Sequence, residues 1–407
     1  MTSLFRSRVF LIVAGADLLQ QIGIWVRNMA LLFYIMEQTG NNPTAVALLT
    51  ALEYLPIFVF SMIGGTLADR WNPKKTVIIG DSLSAVSIVV ILGLVSAGWW
   101  QAAFAATVVS AVVSQFSQPS SSVLFKRHVP EELIGAAIGI TQSQMAIFMI
   151  GGPILGTLIY SRLGIEASLG VLIAVFALAA LIQLALPPSP RDTSPAPSPL
   201  LRDMREGIRY VAGKPNLRLT AVMFLLVGCA TGITQPLDVF VTMERLGLAK
   251  EAVQWFEALA GVGLLAGGII AAVFSGVVDR HRSRIIPLAL MALSIGTVIE
   301  VLSLWPVLTG SVRFLLGIIM TFFQIVFGAL IIKEVDEAYI GRTNGAIVPL
   351  MMGGILIGSA ISGLLAEISL FAAYGVSAAL TAAGAALATR LRTTDAAKHA
   401  PTHAENA

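Results

Sequence analysis

Charge is what this sequence lacks. Only 12% of its 407 residues are Asp, Glu, Lys or Arg, about half the share of a soluble domain, so the chain cannot clothe a globule of its size in hydrated side chains. The formal net charge is +3 and forms no block of one sign, which excludes the broad basic footprint of a nucleic-acid binder. There is one cysteine, Cys229, so no internal disulfide can form and the redox compartment is unreadable. A Walker-type glycine loop is absent, which argues against ATP hydrolysis by this chain. So are an H-E-x-x-H zinc motif and a nucleophile elbow, and neither enzyme activity nor a cofactor is expected. His399 and His403 have i, i+4 spacing but sit in a polar tail, which reads as solvated chain, and no metal is expected.

What is abundant is apolar sequence: 56% hydrophobic residues and a mean hydropathy of +0.84. A crossing of a hydrocarbon core about 30 Å thick needs roughly 20 such residues. Cutting at charged and turn-rich stretches predicts twelve spans: 9–36, 44–68, 76–97, 100–122, 135–160, 168–187, 217–242, 252–278, 285–305, 308–332, 342–366 and 371–391. The first follows Arg6 and Arg8 and carries Asp17, Gln20, Gln21 and Arg27, so it reads as a retained span and not as a cleaved signal peptide.

The expected organisation is an N-terminal six-helix bundle over 1–187, a cytoplasmic linker over 188–216, a C-terminal bundle over 217–392 and a disordered tail over 393–407. Within the Pro- and Ser-rich linker, Leu201, Met204, Ile208 and Val211 share a helical face beside Arg202, Arg205 and Arg209, the pattern of an interfacial amphipathic helix. Lysine and arginine set the orientation. With the N-terminus inside, Arg6, Arg8, Arg70, Lys74, Lys75, Lys126, Arg127, six cations in and just after the linker, Arg280, Arg282, Arg284, Lys333, Arg342, Arg390, Arg392 and Lys398 are cytoplasmic, 21 of the 26. The halves also repeat: Gly135, Gly139 and Gly152 recur as Gly341, Gly345 and Gly358 at one constant offset, and Asp69-Arg70 returns as Asp279-Arg280. Six spans duplicated in parallel about an axis along the membrane normal is the architecture of a major facilitator transporter.

The stretch "GGTLADRWNPKK" resembles the loop signature of that superfamily between its second and third helices, matching at Gly65, Leu67, Ala68, Asp69, Arg70 and Lys74. A weaker copy, "SGVVDRHRSR", supplies Gly276, Asp279 and Arg280. "TGNNPTAVALLTALEYLP", "RDMREGIRYV", "VPEELIGAAIG" and "AYIGRTNGAIVPLMMGGILIGSAISGLLAE" resemble the branch of macrolide-efflux and siderophore-export transporters, the third drug:proton antiporter family, from about Arg8 to Arg392. "GGPILGT", with Gly152, Pro153 and Gly156, is similar to the antiporter motif of the fifth helix. The resemblance implies an all-α membrane protein with twelve transmembrane helices in two pseudo-symmetric six-helix bundles. It implies that Asp69 caps the start of the eleventh helix near Gly341 when the inner gate is shut, with Asp279 doing the same near Gly135. Lys74, Lys75 and Arg70 fit topology and contact with anionic lipid. Asn72 and Pro73 depart from the usual Gly-Arg, and the fourth span lacks the arginine found in many antiporters, so that residue's proton relay does not carry over.

A charge inside a span asks for a cavity or a partner. On the first span Asp17, Gln20, Gln21, Ile24 and Asn28 form one polar stripe, with Asp17 roughly 12 Å from the inner surface. Asp17 is either a proton-coupling group or a fixed structural partner. Arg27 and Glu53 lie at similar depth on adjacent helices, as a charge switch or as an ion pair welding two helices. Gln115, Gln118 and Gln324 are uncharged cavity candidates, with Trp25, Phe116, Phe322 and Phe323 as an apolar wall. Asp238 and Glu257 read as interfacial; Glu300 has no evident role. The function expected is proton-antiport export of an amphiphilic small molecule by a monomer in a bacterial inner membrane, its partners being substrate, protons and the lipid bilayer. Two alternatives are a dedicated exporter of one metabolite such as a siderophore, and a non-transporting sensor or scaffold on the same fold.

Overall fold

The computed structural model describes residues 7–128, 131–188, 200–336 and 339–391, with side chains omitted at 61–70, 277–283 and a few further positions. In the first half the helices are α1 (Arg8–Gln38), α2 (Pro43–Arg70), α3 (Pro73–Ser96), α4 (Ala102–His128) and α5 (Glu131–Leu184). The linker holds α6 (Leu200–Gly213). The second half holds α7 (Pro215–Thr234), the single turn α8 (Asp238–Phe240), α9 (Val253–Val273), α10 (Ser275–Leu302), α11 (Pro306–Glu334), α12 (Ile340–Ile368) and α13 (Leu370–Ala388). The end where α1 begins is the terminal end; the opposite one is the far end.

Ten of these helical stretches are long and apolar enough to cross a membrane. Two features separate that number from the twelve expected spans. The first is α4, whose Ser- and Gln-rich middle dilutes its hydropathy. The second is α5, counted once although at 1.5 Å per residue it would run about 80 Å, far more than a bilayer holds. It breaks at Gly164, where φ is +74° and ψ −173°, a region open in practice only to glycine. Contacts on either side establish the reversal. Going up, Gln144 meets Ala14, Gly152 meets Trp25 and Tyr160 meets Glu37. Going down, Glu166 meets Ser96 and Gln183 meets Asp81.

The duplication is visible in the packing. In the first half α1 lies on α5, α2 on α4, and α3 on both α4 and α5; in the second, α7 lies on α12, α9 on α11, and α10 on both α11 and α13. The two halves meet through α2 with α12 and α5 with α9, the same pairing twice. Between lipid-exposed helices the hydrophobic effect is weak and close backbone approach does the work. Gly152 is such a point: a Cβ there would lie 2.3 Å from the Trp25 ring, and one at Gly156 2.5 Å from the Trp25 carbonyl oxygen. Gly358, the repeat of Gly152, sits equally close to the Cys229 carbonyl on α7.

The linker helix is docked on the protein. A Cβ at Gly207 would strike the Arg342 carbonyl, Glu206 accepts from Arg342 at 3.1 Å, and the rings of Tyr210 and Tyr339 stack 4.3 Å apart. The Tyr210 hydroxyl donates to Asp336 Oδ2 (2.8 Å) and Lys214 lies 3.5 Å from the same carboxylate. Tyr210 first, then Lys214, hold the Asp336 carboxyl below its ordinary range. Of the face expected to lie on lipid, Val211 is instead buried against α7 and the start of α12, while Ile208 stays exposed.

Candidate functional site

The polar stripe of α1 opens into a cavity of about 280 Å³ in the terminal half of the molecule, lined by α1, α4 and α5. Asp17, Gln20, Gln21 and Ile24 form one wall, and Thr141, Gln142 and Gln144 of α5 another. Ile138, Gln142 and Met145 are exposed. Asp17 has no hydrogen-bond partner among the described residues. Gln20 is committed: its amide donates to both oxygens of Asp81 at 3.0 Å, and Gln183 donates to Asp81 Oδ2 at 2.9 Å. Asp81, 2% exposed on α3, thus ties α1 to the descending arm of α5 beside the cavity. It escaped the sequence reading although an acid within span 76–97 is itself a signal.

At the far end of the same helix Arg27 and Glu53 are joined, Nη2 to Oε1, at 2.6 Å. Arg27 also donates to Asn28 Oδ1 through Nε (3.1 Å) and Nη2 (2.7 Å). Asn28 and Glu53 line a second, smaller cavity of about 150 Å³ together with Gln235, Asp238 and Glu257 of the other half. Asp238 and Glu257 are therefore not interfacial, as their nearness to span ends suggested. The chain past α7 tightens to a 3₁₀ turn and then widens to a π turn at Val241–Arg245, and Asp238 sits in this stretch bonded inward. Arg313 Nη2 lies 2.5 Å from its Oδ1 and Nη1 donates to its Oδ2 at 2.8 Å, while the Tyr374 hydroxyl donates to Oδ1 at 3.0 Å. Arg313 also pairs with Glu300, which accounts for the charge that had no evident role. Arg313, a lone cation within span 308–332, was the missed signal.

Among the described residues, direct polar ties between the halves lie at the far end. Lys250 bonds Glu37 at 2.6 Å, Thr44 donates to Glu367 at 2.7 Å, and Tyr54 donates to Gln235 at 3.4 Å. Tyr160 holds Glu37 from the first half at 2.7 Å.

The other candidates divide. Gln115 donates weakly to its neighbour Ser114 at 3.4 Å, and Gln324 is exposed on α11. Phe323 is 1% exposed in the core of the second half, with Phe322 packed against it; Phe116 packs on Phe60 and Trp71. None of these three lines either cavity; Trp25 covers Gly152 and borders the smaller one. Pro153 is buried within α5. The side chains of Gln118, Asp69, Arg70, Asp279 and Arg280, and the environment of Gly65, lie outside the described residues. Gly276 is exposed in the first turn of α10.

Two motif residues gain specific work. Lys74 donates to the Leu184 carbonyl at 2.9 Å and to that of Leu186, satisfying acceptors left open where α5 ends. Asn72 caps α3, its side chain accepting from the Lys75 amide at 3.1 Å, and Pro73 follows in the first turn. The departure from the usual motif is thus a favourable helix start, an Asn cap followed by a proline whose missing N–H costs nothing there.

Long apolar helices in two like halves, with polar cavities in and between them, are the architecture of a membrane transporter. The chain belongs to the Major Facilitator Superfamily, whose family model matches residues 13–353. It is 29% identical over 363 residues to "Uncharacterized MFS-type transporter YkuC" of Bacillus subtilis, covering 86% of this chain and 83% of that one. It is 24% identical to macrolide efflux protein A of Streptococcus pyogenes, covering 84% and 85%. With the enterobactin exporter EntS of Citrobacter koseri it shares 26% identity, covering 81% and 78%. The fold matches the crystal structure of the nucleoside transporter NupG with a TM-score of 0.74 at 15% identity, over 94% of this chain and 98% of that one.

Proposed function

We propose that the chain is a secondary active exporter of amphiphilic small molecules that lets protons in as substrate goes out. It works without covalent chemistry, in a bacterial inner membrane, with both termini and the linker cytoplasmic. The rocking bodies are residues 1–187 and 217–392, joined by 188–216, with 393–407 as a cytoplasmic tail. The observation that carries the reading is Asp17: an acid without a hydrogen-bond partner among the described residues, on the wall of a polar cavity. A group committed to architecture would be bonded as Asp81 is; one that must take up and release a proton needs access and freedom. Gln21, Gln115, Gln118, Asn28 and Gln324 supply hydrogen-bonding surface for varied substrates. Asp69 and Asp279 act as caps on α12 and α5 that shut the cytoplasmic side, where a carboxylate at a helix start gains about 0.3 to 2 kcal/mol. Likeness to efflux proteins supports the outward direction.

The test is reconstitution: the purified chain in proteoliposomes, with macrolides and other lipophilic amines added under an imposed pH gradient. Substrate-dependent proton movement through the wild type is expected, and its absence across the panel contradicts antiport. A dedicated exporter of one secreted metabolite is the second reading, supported by the likeness to the enterobactin exporter. A knockout that loses one secreted compound while keeping drug tolerance would select it.

A further inference from the structure

A groove of about 760 Å³ runs between α3 and α4, apart from both polar cavities, and its size is that of a small-molecule site. Its shaft is apolar, formed by Ile79, Leu83, Val113 and Phe116. Ile79 and Leu83 are 62% and 52% exposed, so they face the bilayer. The mouth at the terminal end is different in kind, with Lys75 exposed on one side and Trp71 on the other. We infer that this groove is a binding site for one anionic phospholipid, its phosphate at Lys75 and one acyl chain along the shaft.

Three observations select that occupant. The first is length. From Pro73, where α3 begins, to Leu83 the helix rises about 15 Å, half of a hydrocarbon core about 30 Å thick. The groove therefore spans a single leaflet, matching one lipid and not a crossing helix. The second is charge. Lys74 is consumed by the carbonyls at the end of α5, whereas the side-chain ammonium of Lys75 has no hydrogen bond or ion pair among the described residues. It stands in the first turn of α3, where the helix dipole adds partial positive charge, and basic pockets between membrane helices at this level favour anionic headgroups. The third is shape. The Trp71 ring packs against Phe116 with centroids 5.4 Å apart and is 44% exposed, an amphipathic ring where headgroup meets chain. Gly80 borders the groove, and a Cβ there would lie 2.5 Å from Ser117 Oγ, so the missing side chain lets α3 and α4 approach closely at that level.

The test uses the full chain in neutral detergent, titrated with phosphatidylglycerol or phosphatidylcholine of identical acyl chains and read by native mass spectrometry. The wild type is expected to bind one phosphatidylglycerol in preference to phosphatidylcholine. Lys75→Gln should weaken phosphatidylglycerol roughly fivefold and leave phosphatidylcholine unchanged. Leu83→Trp, which fills the shaft from an exposed position, should weaken both lipids. Leu288→Trp, on the exposed surface of α10, should weaken neither. The inference is overturned if Lys75→Gln and Leu83→Trp keep the wild-type preference. It is overturned equally if glycerol phosphate competes as well as the lipid, which would make this a phosphate site, or if a lipophilic amine binds more tightly than phosphatidylglycerol.

Discussion

Arg27 on α1 and Glu53 on α2 are joined at 2.6 Å, with the guanidinium almost wholly buried and the carboxylate a quarter exposed. Asn28 shares the same guanidinium, so the pair is fixed from two sides. Removing one partner strands a charge. Glu53→Gln should destabilise the detergent-solubilised protein by about 3 kcal/mol, the low end for a broken buried pair. Replacing both residues by apolar ones of like volume should cost much less. Chemical unfolding of the two single variants and the double variant checks this, and equal losses in all three would contradict a welding role.

The second charge cluster separates residues by commitment. Arg313 holds both Asp238 and Glu300, so Arg313→Met leaves two buried acids and should cost about 3 to 5 kcal/mol. Glu257 borders the small cavity without a hydrogen-bond partner among the described residues. Glu257→Gln should therefore change stability by less than about 1 kcal/mol. Thermal melting of both variants decides it.

Gly152 leaves no room for a side chain against Trp25. Gly152→Leu should lower stability by at least about 1 to 3 kcal/mol, the usual cost of overpacking. Adding Trp25→Ala should recover part of the loss. No recovery in the double variant would mean that the small residue serves backbone geometry instead.

The linker contact should depend on pH. The Asp336 carboxyl is held low by Tyr210 and then by Lys214, so its contribution is complete above the ordinary carboxylate range and lost only as pH falls through the depressed value. Tyr210→Phe returns the carboxyl toward that range. Limited digestion of the linker by an acid-tolerant protease should then begin at a higher pH in the variant than in the wild type.

Much of this was readable from sequence because membrane spans obey few rules. Hydropathy placed the segments, and helical rise alone put Arg27 level with Glu53, because α1 and α2 are consecutive and antiparallel. Partners from distant spans were not readable. Nothing along the chain says that Asp81 meets Gln20 and Gln183, or that Asp238 and Glu300 share Arg313; packing decides that. Asp238 was misplaced because depth was counted from the loop, and the irregular turns beyond α7 break that count. Lys74 was read as a surface cation because its acceptors are backbone carbonyls, which leave no trace in sequence.

The proposed proton coupling turns on Asp17. Uptake of a transported amine into everted membrane vesicles, whose lumen corresponds to the cell exterior, driven by an imposed acid-inside pH gradient, measures its role directly, with correct insertion of each variant checked by protease protection. Asp17→Asn should abolish gradient-driven transport while leaving substrate binding measurable, and Asp17→Glu should retain part of it. Full gradient-driven uptake by Asp17→Asn would contradict the assignment.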